Sequence, residues 1–467
     1  MPPFDMVRSG IAFLNDPIRL MGEQFGRYGL IAPMARAPSY SPLSGFRITF
    51  LYGPEYNRQL ITQHDVFHKL PLAETLFPPW HNGRREPLGR FMGGLFHVNG
   101  DEHRRHRRLL MPAFHKQHIA AYHDDMVRLT LEMLDEWQVG QPVDVQEEMR
   151  QLTMRIALKT LFGEEALSDQ TAVGHALQDA MVLVLRPFTI VLPVDVPGVP
   201  FHRFLTRINQ VDSAIRTMIA ERRRSGAHGV DMLSMLIRAQ DEDGTGLTDN
   251  DVIGHAEVIF GAGHETSAAA LTWTLLLLAQ HPAVLADLMD ELASVLRGSP
   301  PTLADLERLT FLDHVIKESM RVIPPVPMNA RTAAQPTEIG DVTIEPGEQV
   351  IASIYHTHHM PDLFANPEDF TPMRWETLKP DPFAYNPFSA GPRMCIGAAY
   401  ATMELKVVLA CLLQRFRLGI LPGTRADRKV TITAAVRDGL RMVPTTEHIP
   451  PVVPVTGDVR EMVNLPA

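Results

Sequence analysis

A chain of 467 residues with 45% hydrophobic and 21% charged side chains can bury a large core, and its net charge of −10 excludes a general nucleic-acid binder. Two cysteines exclude a disulfide framework and point to a reducing, cytoplasmic setting. The opening stretch, "MPPFDMVRSGIAFLNDPIRL", has neither a signal-peptide pattern nor an uninterrupted apolar span, so no transmembrane segment is expected there.

Along the chain, "FRITFLYG" from Phe46 carries the composition of a strand. Residues 101–137, interrupted near Pro112, and residues 144–162 have helical periodicity. The segment "RPFTIVLPVDVPGVPF", residues 186–201, breaks that pattern as a surface loop, either a plain connector or a part of a pocket mouth. The longest helix is expected over 248–281, where Thr248 and Asp251 have capping-box spacing, and it would reach about 50 Å. Its apolar end, "ALTWTLLLLAQ", is too short to cross a bilayer. Its middle, "FGAGHETS", places Gly261 and Gly263 where each costs about 1 kcal/mol, which a groove or kink would explain. "EQVIASIY" from Glu348 and "KVTITAAV" from Lys429 read as strands. With no linker, repeat or low-complexity tract, residues 1–467 read as one mainly α domain.

The chemistry concentrates at "FSAGPRMCIG", residues 388–397. A lone cysteine is most often a small buried hydrophobe. No hydrolase motif surrounds Cys395, and Cys411 lies too far along to share a zinc site. Metal binding by Cys395 alone therefore implies a cofactor that brings its other ligands, as haem does. "HETSA" is not the zinc H-E-x-x-H motif, because Ala268 stands at the second histidine position. His356, His358 and His359 in "YHTHH" do not complete a ligand set.

Four stretches agree on one family. "FSAGPRMCIG" has every fixed position of F-x-x-G-x-R-x-C-x-G, "GAGHET" fits A-G-x-E/D-T, and "KESMR" supplies E-x-x-R. "TPMRW" is similar to P-x-R-F, with Trp375 in place of Phe. From Phe46 to Pro444 the chain resembles the soluble bacterial-type cytochrome P450 haem-thiolate monooxygenases. The resemblance implies a helical prism with small β-sheets around a buried haem b, which would lie between helix 248–281 and the 388–397 loop. Cys395 would be the axial thiolate, Phe388 would pack near the sulfur, and Gly391 and Gly397 would let the backbone approach the porphyrin. Ala262 would face the haem, while Arg393, His103, Arg107 and Arg331 would hold its propionates. Glu265 and Thr266 would deliver protons to bound O2, and Glu318, Arg321 and Arg374 would form a structural ion network.

The function implied is insertion of one oxygen atom of O2 into an apolar substrate of the fatty-acid, terpenoid, steroid or polyketide class. Rivals are a peroxide-driven peroxygenase, a haem-thiolate isomerase and a non-catalytic haem sensor; Glu265 and Thr266 argue against the first two. Only 72 residues follow Cys395, so electrons are expected from NAD(P)H through a separate ferredoxin or flavodoxin with its reductase. Arg104, Arg105 and Arg108 are expected to form a positive patch that steers that acidic partner.

Overall fold

Long runs of helical periodicity become helices, and the strands are short segments that only distant partners complete. In the computed structural model, residues 3–34, 47–69, 83–91, 93–163, 170–184, 186–226, 229–446 and 448–466 are described. Phe46, the first residue of the expected strand "FRITFLYG", lies outside them, as do Leu70 to Pro79 and their neighbours through residue 82. The chain divides into two compact units: Met1–His68, Met126–Leu152 and Thr266–Ala467 form the first, Lys69–Asp125 and Thr153–Glu265 the second.

The first unit holds a five-stranded sheet in the order Ile31–Pro33, Ile48–Leu51, Gln349–Ser353, Met328–Ala333, Phe67–His68. Ile48–Leu51 runs parallel to Gln349–Ser353, with Phe50 opposite Ile351, and the other pairs are antiparallel. Strand alternation sends Phe50 and Ile351 into a core with Met21 and Phe25, and Leu51, Val350 and Ala352 into another with Leu60, Phe67 and Ile339. Both faces of the sheet are thus covered. The strands expected at "FRITFLYG" and "EQVIASIY" are present as its second and third members. "KVTITAAV" is a hairpin rather than one strand: Arg428–Val430 pairs with Ala434–Val436, and the Trp273 indole N–H donates to the Ala434 carbonyl at 2.8 Å.

In the second unit the helices Gln170–Val184 and Pro200–Ser225 enclose Ala180, Leu183, Phe201, Phe204, Leu205 and Ile208, with Leu88 and Phe91 packed among them. The expected loop 186–201 is not wholly irregular. Pro187–Val191 forms a short helix, begun by a proline whose fixed φ suits the first helical turn, and only the stretch after it lacks regular structure.

The long helix spans Asp249–Gln280, 32 residues. Its capping box forms: the Asp251 carboxylate accepts from the Thr248 N–H at 2.9 Å, and the Thr248 hydroxyl accepts from the Asp251 N–H at 3.2 Å. The helix is unbroken through Gly261 and Gly263, and the glycines leave space on its surface. A Cβ on Gly261 would lie 1.8 Å from the Met181 methyl carbon, which needs that space. Among the described residues no single helix is long and apolar enough to cross a membrane.

Candidate active site

The Cys395 loop is built by backbone turns. The Cys395 N–H donates to the Phe388 carbonyl at 2.8 Å and the Met394 N–H to Gly391 at 3.0 Å, folding 388–395 back on itself. Gly391 has a φ of +62°, and a Cβ there would press on Ile61 at 3.1 Å, so glycine is required twice over. Gly397 then caps the helix Ala398–Arg415. The result is an exposed Cys395 just before a helix N-terminus, where the aligned peptide dipoles favour a thiolate. Cys411, inside that helix, is buried, and burial pushes its thiol up to about 12, so it stays protonated.

Two guanidiniums accompany the loop. Arg331 is 3% exposed and donates to the side-chain oxygen of Asn329 and, at 2.8 Å, to the Ala330 carbonyl. Both acceptors are neutral. Burial first, then the charge of the nearby half-buried Arg393, lowers Arg331 to about 9. A buried cation beside a second cation, with only neutral acceptors among the described residues, is a site that favours an anion. In the second unit, His103 and Arg107 lie one turn apart on the helix Gly100–Leu110, His103 buried and Arg107 half-buried.

The long helix is buried from Val252 to Leu278 except at Ile259, Ala262, Gly263, Glu265 and Thr266. Ile259, Ala262, Gly263 and Thr266 have the i, i+3, i+4, i+7 spacing of one stripe, and a Cβ on Gly263 would meet nothing within 4 Å. An otherwise enclosed helix therefore opens along one apolar line that ends at a hydroxyl. The Glu265 side chain, 35% exposed, has a carboxylate oxygen 3.6 Å from the ring of buried His264. His264 is held in place by the backbone: its Nδ1 lies 2.9 Å from the Phe260 carbonyl, and its own carbonyl accepts from the Thr153 hydroxyl at 3.0 Å.

Glu318, Arg321 and Arg374 are brought together around one carboxylate. Glu318, 0% exposed, accepts from Arg321 at 2.9 Å on each oxygen and from Arg374 Nε at 2.8 Å. The remaining Arg321 donors go to the carbonyls of His358, Pro367 and Asp369 at 2.7–3.0 Å. Trp375, the departure from the family pattern, donates its indole N–H to the same carboxylate at 2.9 Å. Phenylalanine has no such donor, and only the fold reveals the bond.

The histidine-rich stretch is drawn into packing instead. Burial lowers His356 and His358 to about 3 and His359 to about 4, and the His358 ring accepts from the Asn386 N–H at 3.1 Å. The expected positive patch is not bare. Arg105 and Arg108 converge on the buried Asp241 carboxylate at 2.8 and 2.6 Å, and Arg104 pairs with Asp101. These carboxylates offset much of the charge that the run of arginines suggested. Residues that sequence reasoning passed over include Glu404, on the helix after Cys395, and Glu257, both fully buried carboxyls.

Comparison with known proteins now defines the class. The Cytochrome P450 family model matches residues 63–437, and the chain belongs to that family. It is 34% identical over 384 residues to "Cyclooctat-9-en-7-ol 5-monooxygenase" of Streptomyces melanosporofaciens, covering 79% of this chain and 80% of that one. It is 32% identical to "Putative cytochrome P450 139" of Mycobacterium tuberculosis strain H37Rv, covering 83% and 89%. Among solved structures, a retinoic acid bound cyanobacterial CYP120A1 superposes with a TM-score of 0.79 at 25% identity, covering 94% of this chain and 96% of that one. The heme domain of cytochrome P450DA does so at 0.81 and 25%, covering 94% and 95%. The mainly α P450 fold with small sheets and the general haem-thiolate oxidoreductase class follow. The family implies haem b and use of O2, and the residues present fit that group: an exposed thiol for iron, and the Arg331 and Arg393 cations for carboxylates.

Proposed function

We propose that residues 1–467 act as one cytoplasmic monooxygenase domain that inserts an oxygen atom of O2 into a C–H bond or double bond of an apolar small molecule. Electrons would come from NAD(P)H through a separate ferredoxin or flavodoxin and its reductase. Cys395 would hold the haem iron through its thiolate, and Phe388, Gly391, Gly397 and Ala262 would lie against the group. Arg331 and Arg393, with His103 and Arg107, hold the propionates. Bound haem supplies O2 binding and O–O cleavage, which thiolate donation favours. The chain's own groups do the rest. Glu265 and Thr266 hold and pass protons, the Ile259–Ala262–Gly263 line excludes water and seats an apolar surface, and the Glu318 network fixes the segment before the loop.

The observation that carries this reading is Arg331: a buried cation beside Arg393, with neutral acceptors only among the described residues, is costly unless an anionic group binds there. The named relatives favour oxygenated alkenyl hydrocarbons within the apolar range, one acting on cyclooctat-9-en-7-ol and one solved with retinoic acid. The test is spectroscopic. Reduced protein with CO should show the absorption band of thiolate ligation, retained in Cys411→Ser and lost in Cys395→Ser. Persistence of the band in Cys395→Ser would overturn the assignment. A Soret shift on adding alkenyl alcohols or acids, and none with polar analogues, supports the substrate class.

A further inference from the structure

Within the second unit, a loop is fastened to two helices around a carboxyl group that the catalytic reading does not use. The loop comprises the 3-10 segment Gly83–Gly89, then Arg90 and Phe91, then the turn Gly94–His97. Three contacts hold it. Leu88 and Phe91 are buried among Phe201, Phe204 and Leu205. Gly94, at φ +52°, crosses the long helix backbone so closely that a Cβ there would be 2.7 Å from the Gly254 carbonyl. Arg90 donates through Nε to Asp212 of Pro200–Ser225 at 2.7 Å and through Nη1 to Glu86 at 3.1 Å.

Glu257 belongs to this cluster, one turn beyond Gly254 on the long helix. It is 1% exposed, and among the described residues its Oε2 has no hydrogen-bond partner. Among the described residues, the neighbouring charges already pair with one another. From the loop come Arg90 and Glu86, and from Pro200–Ser225 come Asp212 and Arg216, which bonds Asp212 at 2.8 Å. His255, on the long helix itself, is lowered to about 3 by burial and stays neutral. Ionised Glu257 would add an unmatched negative charge beside Asp212, away from water. Burial and that neighbour accordingly raise its pKa well above 4.5, with Arg90 opposing.

We propose that Arg90, Asp212 and Glu257 form a proton-linked latch: the loop closes over Glu257 only while that carboxyl is protonated, and loss of the proton opens it. The inference rests on the functional reading above for its role, since the long helix that carries Glu257 also carries the Ile259–Ala262–Gly263 line proposed there to seat the substrate. The latch requires that the loop shields Glu257, so that opening returns the carboxyl toward its ordinary 4.5. The sign follows. The raised carboxyl pKa belongs to the closed state, so closure is fully favoured below about pH 4.5. It weakens about tenfold per pH unit above that, until the closed-state pKa is reached.

Hydrogen exchange on the full-length, haem-loaded protein tests this. Peptides spanning residues 83–98 are followed between pH 5 and 7, with rates corrected for intrinsic exchange. The wild type should show opening that rises with pH, by at most about tenfold per unit, and Glu257→Gln should be flat and less open than wild type at pH 7. Asp212→Asn, which removes the Arg90 contact and the negative neighbour that raises Glu257, should raise opening at pH 5 and flatten its rise toward pH 7. A flat wild type, or an equal slope in Glu257→Gln, overturns the latch. The gating role is read from the association rate of 4-phenylimidazole at the haem, which should follow the exchange result in both proteins; a rate indifferent to pH and to Glu257→Gln overturns that role. Failure of the monooxygenase reading would show separately, as absence of the thiolate band in wild type.

Discussion

Replacing Glu318 by glutamine keeps the side-chain shape and removes one charge, which isolates what that charge does. Its two oxygens accept five hydrogen bonds, from Arg321 twice, Arg374, Trp375 and the Thr371 N–H, all at 2.8–2.9 Å. A glutamine amide turns a donor toward those donors. Arg321, 0% exposed, is then left with three carbonyls and no counter-charge, and Arg374, 12% exposed at its side chain, gains little from water. Removing one partner of a buried pair costs about 3–5 kcal/mol, because the remaining charge stays buried. Against a total stability of about 5–15 kcal/mol this is a large share. At about 2.1 cal/mol/K per residue, unfolding of the whole chain would begin about 3–5 °C lower. Equilibrium urea unfolding, followed by Trp fluorescence and far-ultraviolet dichroism, reads the loss, with Glu318→Asp as the variant that keeps the charge. A loss below about 0.5 kcal/mol in Glu318→Gln, the usual range for surface changes, would refute the reasoning.

Glu404 gives a pH-dependent counterpart. Burial raises its carboxyl to about 8 from 4.5, so the folded state holds a proton that the unfolded chain releases. The resulting penalty is absent below about pH 4.5, grows with pH and levels off above about 8, reaching about 3 kcal/mol at pH 7. Glu404→Gln should therefore unfold at higher urea than wild type at pH 7 and match it at pH 4; equal midpoints at pH 7 would count against a protonated Glu404. For Thr266→Ala, substrate binding should persist while reducing equivalents divert to peroxide, the productive step falling about 10²-fold. Unchanged product per NAD(P)H would remove Thr266 from proton delivery.

Local chemistry explains what the sequence determined by itself. The Cys395 loop and the Thr248–Asp251 cap depend on neighbours a few positions away, and the strands at residues 48–51 and 349–353 carry a contiguous β-branched and apolar composition although each is completed by the other, so these signals could be read locally. The same holds for the glycines: Gly261 and Gly263 stood out as costly in a helix. Only the structure showed that one receives Met181 and the other opens to space.

Tertiary structure decided whatever depends on long-range charge and burial. Arg105 and Arg108 read as a free patch until Asp241, 136 and 133 positions away, closed on them. Phe67–His68 and Ile31–Pro33 are too short to announce themselves and become strands through pairing with Met328–Ala333 and Ile48–Leu51. Nothing in a single sequence marks Glu257 and Glu404 as carboxyls held without water, because desolvation is a property of what packs around a group rather than of the group itself.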